Sequence, residues 1–201
     1  MIDKREVIAV ATAQSFRPDV VEKNYALGWV LAGIAQHPEL RERWVFKGGT
    51  CLKKCFFKTY RFSEDLDFTI LDDTHLNDEF LGNLFCEISE WIYDTCGLDL
   101  PSALHKFDQF TNPRGHPACQ AKVAYRGPIS PQSERQLPRI KLDLSADELL
   151  VLPPIDCKST TRTVMRPRRE SKFYPMPTRK LLAKRSALGA NEHAREICMM
   201  L

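Results

Sequence analysis

Apolar positions recur with a helical period in three stretches of the chain. Asp3 to Gln14 reads as a short helix with Val7, Val10 and Ala11 at the centre of its apolar stripe. Arg17-Pro18-Asp19 breaks and restarts the chain. Val20 to Gln36 then predicts a second helix, in which Leu27, Val30, Leu31 and Ile34 follow the i, i+3, i+4, i+7 template. Val21, Tyr25 and Trp29 form another stripe on its far side, so this helix is expected to be covered on two faces. The strongest pattern lies at 77–96, where Phe80, Leu81, Leu84, Phe85, Ile88, Trp91 and Ile92 share one face before Gly97.

Between and after these helices the period shortens to two. Trp44-Val45-Phe46 is a β-prone run that leads into Lys47-Gly48-Gly49-Thr50, and Cys51 to Phe57 returns to helical spacing. Asp65 to Ile70 alternates polar and apolar residues, the pattern of a half-buried strand. Residues 103–110, 118–126 and 139–145 are also strand-prone, separated by turns such as Gly127-Pro128-Ile129-Ser130-Pro131. Arg139 to Ser145 alternates with its charged residues on one face. Pro153-Pro154 closes this unit, and Thr178 to Leu188 reads as a last helix. The order α-α-β-α-β-α-β-β-β-α favours an α+β (mixed α/β) fold, a mixed sheet with helices on its faces. The expected division is N-terminal helices over 1–40, a core over 41–157, and a basic segment with a shortened helical region over 158–201.

Composition narrows the class without choosing a function. The 201 residues are 43% hydrophobic and 27% charged, which excludes a disordered tail, a collagen-like repeat and a disulfide-stapled miniprotein. No apolar run approaches the roughly 20 residues of a membrane helix, and Met1 to Glu6 lacks a signal peptide's apolar segment. A cytoplasmic protein is expected. The net charge of +3 conceals an asymmetry: residues 1–157 are net acidic, whereas 158–185 hold ten basic side chains and a single acid, Glu170. Such a block suits a polyanion contact; a solvated basic face is the alternative. Seven cysteines without a C-x-x-C pair read as reduced thiols. Cys51 and Cys55 stand at i, i+4, but no His or second Cys pair completes a zinc set, so core packing is expected of them.

The chemistry gathers in three places. A strand runs into Gly48-Gly49-Thr50, which opens a helix; a second strand carries Asp65 and Asp67; a distant third carries Asp143. Carboxylates at i and i+2 on a strand point to the same face, and two held that close repel unless a cation sits between them. A hard divalent cation such as Mg²⁺ answers this, since it takes a few carboxylates plus substrate phosphate oxygens. A third carboxylate from a neighbouring strand would complete a two-metal clamp or activate an attacking hydroxyl. Gly48 and Gly49, lacking Cβ atoms, would let a triphosphate approach the backbone, with helix N–H groups facing its charge. Lys47, Lys53 and Lys54 add positive charge, and Thr50 would bind a phosphate or cap the helix. Each piece alone is common, and a solvated strand face also accounts for Asp65 and Asp67 taken singly. Their order, strand–GGT–helix–strand-DxD, favours a nucleotidyltransferase site.

Phe46-Lys47-Gly48-Gly49-Thr50-x-Leu52-x-Lys54, Arg61-Phe62-Ser63-Glu64-Asp65-Leu66-Asp67-Phe68 and Lys141-Leu142-Asp143-Leu144 together resemble the AbiEii/AbiGii toxin family, over roughly residues 40–150. These are nucleotidyltransferase-like toxins of type IV, abortive-infection toxin–antitoxin systems. The resemblance implies a polymerase-β-like core with N-terminal helices and a short C-terminal helical segment. It further implies a nucleoside triphosphate donor, Mg²⁺ as cofactor, an RNA (tRNA-like) or protein acceptor, and a co-encoded antitoxin with a winged-helix domain. By position, Gly48, Gly49 and Thr50 match the triphosphate loop, and Asp65, Asp67 and Asp143 the metal-binding carboxylates. Lys141 matches the third motif in a charge-balancing role. Lys47, Arg61, Ser63 and Lys184 join the nucleotide-binding set, although for Arg61 an ion pair with Glu64 serves equally well.

The chain also departs from the family pattern. Leu181-Leu182-Ala183-Lys184 resembles the start of the family's helical domain but lacks its glutamate, and Arg195-Glu196-Ile197-Cys198-Met199 lacks the two aspartates of a later motif. These departures leave open an alternative: a shortened relative that binds nucleotide or antitoxin without transferring anything. A sugar-nucleotide glycosyltransferase using Asp65-x-Asp67 is a third reading, one that has no need of the Gly-Gly-Thr turn.

Overall fold

The computed structural model describes residues 1–52, 54, 64–146, 154–158 and 180–183, the stretches 155–158 and 180–183 by backbone alone. Two helices open the chain. In α1 (Lys4–Gln14) the Asp3 carboxylate accepts from the Glu6 N–H while Glu6 reaches back to the Asp3 N–H, a reciprocal cap that fixes the start. Pro18 begins α2 (Pro18–Gln36), where its missing N–H costs nothing. The two-sided burial predicted for this helix is present: Leu27, Val30, Leu31 and Ile34 are covered, and so are Val21, Tyr25 and Trp29. It earns this position by touching α1, α4 and β5 at once.

The sheet follows. Its strands are β1 (Trp44–Lys47), β2 (Asp65–Ile70), β3 (Lys106–Thr111), β4 (Pro117–Ala124), β5 (Arg139–Ser145), β6 (Ile155–Lys158) and β7 (Lys180–Ala183). They are ordered β3-β4-β5-β2-β1-β7-β6. β2 runs parallel to β5, and β1 parallel to β7; the other neighbouring pairs are antiparallel. Between β1 and β2 lies the short α3 (Gly48–Cys51), and between β2 and β3 the long α4 (Asp78–Cys96). Asn77 caps α4 through its side chain, and Gly97 ends it in the left-handed conformation.

One face of the sheet is apolar and covered. Trp44, Phe46, Leu66, Phe68, Ile70, Ile140, Leu142, Leu144, Ala121 and Val123 are buried there. Phe46 and Trp44 lie against Phe68 with ring centroids 5.2 and 5.5 Å away. α4 closes over this face, its Phe85 standing 5.6 Å from Phe107 of β3. Cys51 is part of the same core, as expected, whereas Cys55 lies outside the described residues. Period-two alternation therefore leaves the opposite face polar.

The sequence reading fails at one element. The helix expected over Thr178 to Leu188 is, at 180–183, strand β7, paired to β1 and β6. Leu, Ala, Lys and Arg are good helix formers locally, but β1 would otherwise present a row of unpaired N–H and C=O groups, and satisfying that edge overrides propensity. β6, not anticipated as a strand, is its hairpin-like antiparallel partner. The rest of the basic segment lies outside the described residues.

Candidate active site

The polar face is built as rungs that cross the strands, because register partners point the same way. One rung is Lys47–Asp67–Asp143–Gln120–Asp108, from β1 through β2, β5 and β4 to β3. A second, one strand period away, is Asp65–Lys141–Lys122–Lys106. On the other side lies Val45–Thr69–Ser145–Ala118–Phe110. The three carboxylates expected to act together thus share one face, with Asp67 and Asp143 direct neighbours on parallel strands.

Asp67 and Asp143 line a cleft of about 340 Å³ with Lys47, Ser145, Phe110, Asn112 and Arg114 among the other walls. Gln120 Nε2 donates to Asp143 Oδ1 at 3.1 Å and so fixes that carboxylate's orientation. Lys47 Nζ donates to Ser145 Oγ at 2.8 Å. Since β2 lies between β1 and β5, this side chain crosses β2 and carries its charge over the carboxylate rung. Like charges on Asp67 and Asp143 are thereby opposed by a fixed cation.

Gly48 explains why the strand must turn here on glycine. Its φ is +74°, where L side chains are strained, and a Cβ at this position would run into the Asp67 carboxylate. The glycine thus does more than admit a ligand to the backbone: it makes room for the acid itself. Thr50 corrects an expectation. Its hydroxyl, expected at a phosphate or as a helix cap, is buried and donates to the Asp65 carbonyl at 2.6 Å. It ties α3 to the start of β2, and α3 begins with no side-chain cap. Lys54 is likewise buried, its Nζ donating to Asn24 Oδ1 of α2 at 3.0 Å.

The remaining expected residues fall into two groups. Gly49 and Lys141 are placed at the site's margin, Gly49 in α3 and Lys141 exposed beside Asp65. Arg61, Ser63, Lys53 and Lys184 lie outside the described residues. Glu64, the alternative partner for Arg61, makes an ion pair with Lys23 of α2 at 2.7 Å. Gln120, Ser145, Phe110, Asn112 and Arg114 were not singled out by sequence, since only register brings them to the cleft. The sole local signal was the Asn112-Pro113-Arg114-Gly115 turn, in which Asn112 Oδ1 accepts from the Arg114 and His116 N–H groups at 2.9 and 3.0 Å.

Whether the face suits a metal ion is decided by its donor set. Among the described residues no three His, Cys, Asp or Glu side chains gather as a closed metal site. What the fold supplies is a pair of carboxylates in register, with Asp65 two residues along the same strand. Such a carboxylate pair fits a hard divalent cation that fills its other positions with water and substrate phosphate oxygens.

Residues 29–177 match the family described as Nucleotidyl transferase AbiEii toxin, Type IV TA system. The chain belongs to this AbiEii family. The mixed sheet with its strand–Gly-Gly-Thr–helix step and carboxylate strand is a nucleotidyltransferase-like fold, in agreement with the resemblance carried by the motifs. No curated protein matches the chain. Membership in a type IV toxin–antitoxin family implies a cognate antitoxin. Among the described residues no helix is long and apolar enough to cross a membrane.

Proposed function

We propose that this AbiEii toxin is a cytoplasmic, Mg²⁺-dependent nucleotidyltransferase that transfers a nucleotide from a nucleoside triphosphate to a hydroxyl of RNA or protein, in phage defence. The observation that carries the reading is the direct packing of the Gly48 turn against Asp67, with Asp143 in register beside it. A donor phosphate held at that turn would meet both acids.

Asp67 and Asp143, with Asp65 beside them, would hold the cation, which supplies charge neutralisation at the α-phosphate. Asp143, oriented by Gln120, accepts the proton of the attacking hydroxyl at a carboxylate oxygen. The new oxygen–phosphorus bond forms at the α-phosphorus while the bond to the β-phosphate's bridging oxygen breaks, and pyrophosphate leaves. Lys47 offsets charge that builds on the phosphates, and Lys141 does the same from the neighbouring rung. Arg61, Ser63 and Lys184 remain proposed nucleotide contacts by family position. The partner would be a co-encoded antitoxin carrying a winged-helix domain.

The test is incubation of the protein with each α-labelled nucleoside triphosphate, Mg²⁺ and total RNA or protein. Label should enter an acceptor, and should be lost on chelation with EDTA and in Asp67→Asn and Asp143→Asn. Nucleotide binding without incorporation in the wild type would overturn the enzyme reading. It would instead favour the binding-only relative, which finds support in the aspartates that Arg195-Glu196-Ile197-Cys198-Met199 lacks at the later family motif.

A further inference from the structure

A second cavity, of about 400 Å³, opens between the N-terminal end of α2, the turn after β4 and the start of β5. None of its lining residues also lines the cleft that holds Asp67 and Asp143. Its wall carries three acids, Asp19, Glu22 and Glu64, against two cations, Lys23 and Arg139. Both cations have partners other than Glu22: Lys23 pairs with Glu64 at 2.7 Å, and Arg139 donates to the Leu104 carbonyl at 2.6 Å. Asp19 pairs with Arg17 at the surface. Glu22 stands apart. It is 2% exposed and accepts from neutral donors, the Ile129 N–H and the Ser130 hydroxyl, and among the described residues no ion pair neutralises it.

Burying an ionised carboxylate without a counter-charge is costly, and such groups are ordinarily paired. A carboxylate offers about four acceptor sites, and the Ile129 N–H and Ser130 hydroxyl fill two of them. The turn is shaped around this acid, for a Cβ on Gly127 would run into the Glu22 carboxylate. A second polar group faces the same space. Tyr125 lines the cavity at 1% exposure, and among the described residues its hydroxyl makes no hydrogen bond. Burial pushes this phenol well above its usual pKa, and the charges of Glu22, Asp19 and Glu64 act in the same sense. All three acids lie on the cavity wall, so the hydroxyl end of the ring is turned toward them. A buried phenol ordinarily finds a hydrogen-bond partner.

We propose that this cavity binds a small organic dication, a linear alkyl diamine: one ammonium donates to Glu22 and to the Tyr125 hydroxyl, the stem lies along Ile129, Pro131 and Pro138, and the second ammonium reaches Asp19. An ammonium supplies the missing counter-charge and carries three donors, enough for the acid and the phenol together. Asp19 and Glu22 are three residues apart on α2, about 5–6 Å between Cβ atoms, a separation that a short diamine spans. The exposed pair of Asp19 with Arg17 is worth little and yields readily. A nucleoside triphosphate, by contrast, would set its own negative charge against three acids. The site is therefore independent of the nucleotidyl-transfer reading.

The experiment is a calorimetric titration of the full chain with cadaverine at physiological ionic strength, without nucleotide. Saturable one-to-one binding is expected, and pentanediol, the neutral analogue with the same stem, should not bind. Tyr125→Phe should weaken cadaverine binding by about 10- to 150-fold, the range for a hydrogen bond to a charged group. Its thermal midpoint should not fall, because the hydroxyl has no protein partner to lose. Glu22→Gln should remove saturable binding; if the loosened turn unfolds that variant, Tyr125→Phe carries the test alone. Asp67→Asn should bind cadaverine as the wild type does. The proposal is overturned by a wild type that shows no saturable binding, or by a Tyr125→Phe protein of unchanged affinity. Equal binding of pentanediol would overturn the cationic ligand, and equal binding of pentylamine would overturn the second ammonium. Loss of binding in Asp67→Asn would move the amine to the carboxylate cleft and overturn the separate site.

Discussion

Gly48 shows how narrow the tolerance of the site is at the level of one atom. A methyl group there meets both a positive φ and the Asp67 carboxylate, so Gly48→Ala should lower stability by about 1–3 kcal/mol and displace the acid. Under the proposed reaction, transfer should fall by about 100-fold, more than the loss of folded protein explains; thermal melts alongside label incorporation separate the two effects. Buried histidines set a second residue-scale expectation. Burial pushes the His105 imidazole down to about 4, and the His75 imidazole in the same direction. The unfolded chain protonates these groups near 6.5, so below that pH it binds more protons than the native state. Stability should be flat above about pH 6.5 and fall as pH drops toward 4. Urea midpoints against pH would show this limb, and His105→Gln should make it shallower.

At the scale of elements, the turn after β4 is latched by one acid. Glu22 of α2 is buried, accepting from the Ile129 N–H at 2.6 Å and from the Ser130 hydroxyl at 3.0 Å. Glu22→Ala should cost about 3 kcal/mol, since hydrogen bonds to a charged group are lost and a buried donor is left unpaired. A drop in thermal midpoint of roughly 6–12 °C, with faster protease cleavage within 127–131, would register it. This latch was invisible in the sequence, where Glu22 reads as an ordinary charged helix position. The helices themselves were legible because their apolar residues repeat every three or four positions, and β2 and β5 because Asp65 to Ile70 and Arg139 to Ser145 alternate. The motif residues Gly48, Asp67 and Asp143 were legible too. Their neighbours Gln120, Ser145 and Phe110 were not, because pairing across strands is a long-range property that no local pattern encodes. β7 was misread for the same reason: its strand state depends on the open edge of β1.

For the whole molecule, the sheet separates duties between its faces. The covered face, from Trp44 to Val123, holds the fold together, while the polar face carries the carboxylates, the lysine row and Phe110. Changes confined to the polar face should therefore alter function with little loss of stability. Lys141→Gln should shift the thermal midpoint by no more than about 2 °C, in keeping with an exposed side chain, while reducing transfer under the proposed reaction. A large drop in the midpoint instead would show that Lys141 supports the sheet.

The parallel pairing of β2 with β5 has a consequence for the order in which the molecule comes into being. Parallel neighbours need a long crossover, and here α4, β3 and β4 all intervene between Asp67 and Asp143. While the polypeptide is being synthesised, Asp67 is made early and stays without its carboxylate neighbour until that whole excursion has emerged and folded back. The carboxylate pair therefore exists only once β5 has docked on β2, so the polar face is assembled after the strand that carries its first two acids.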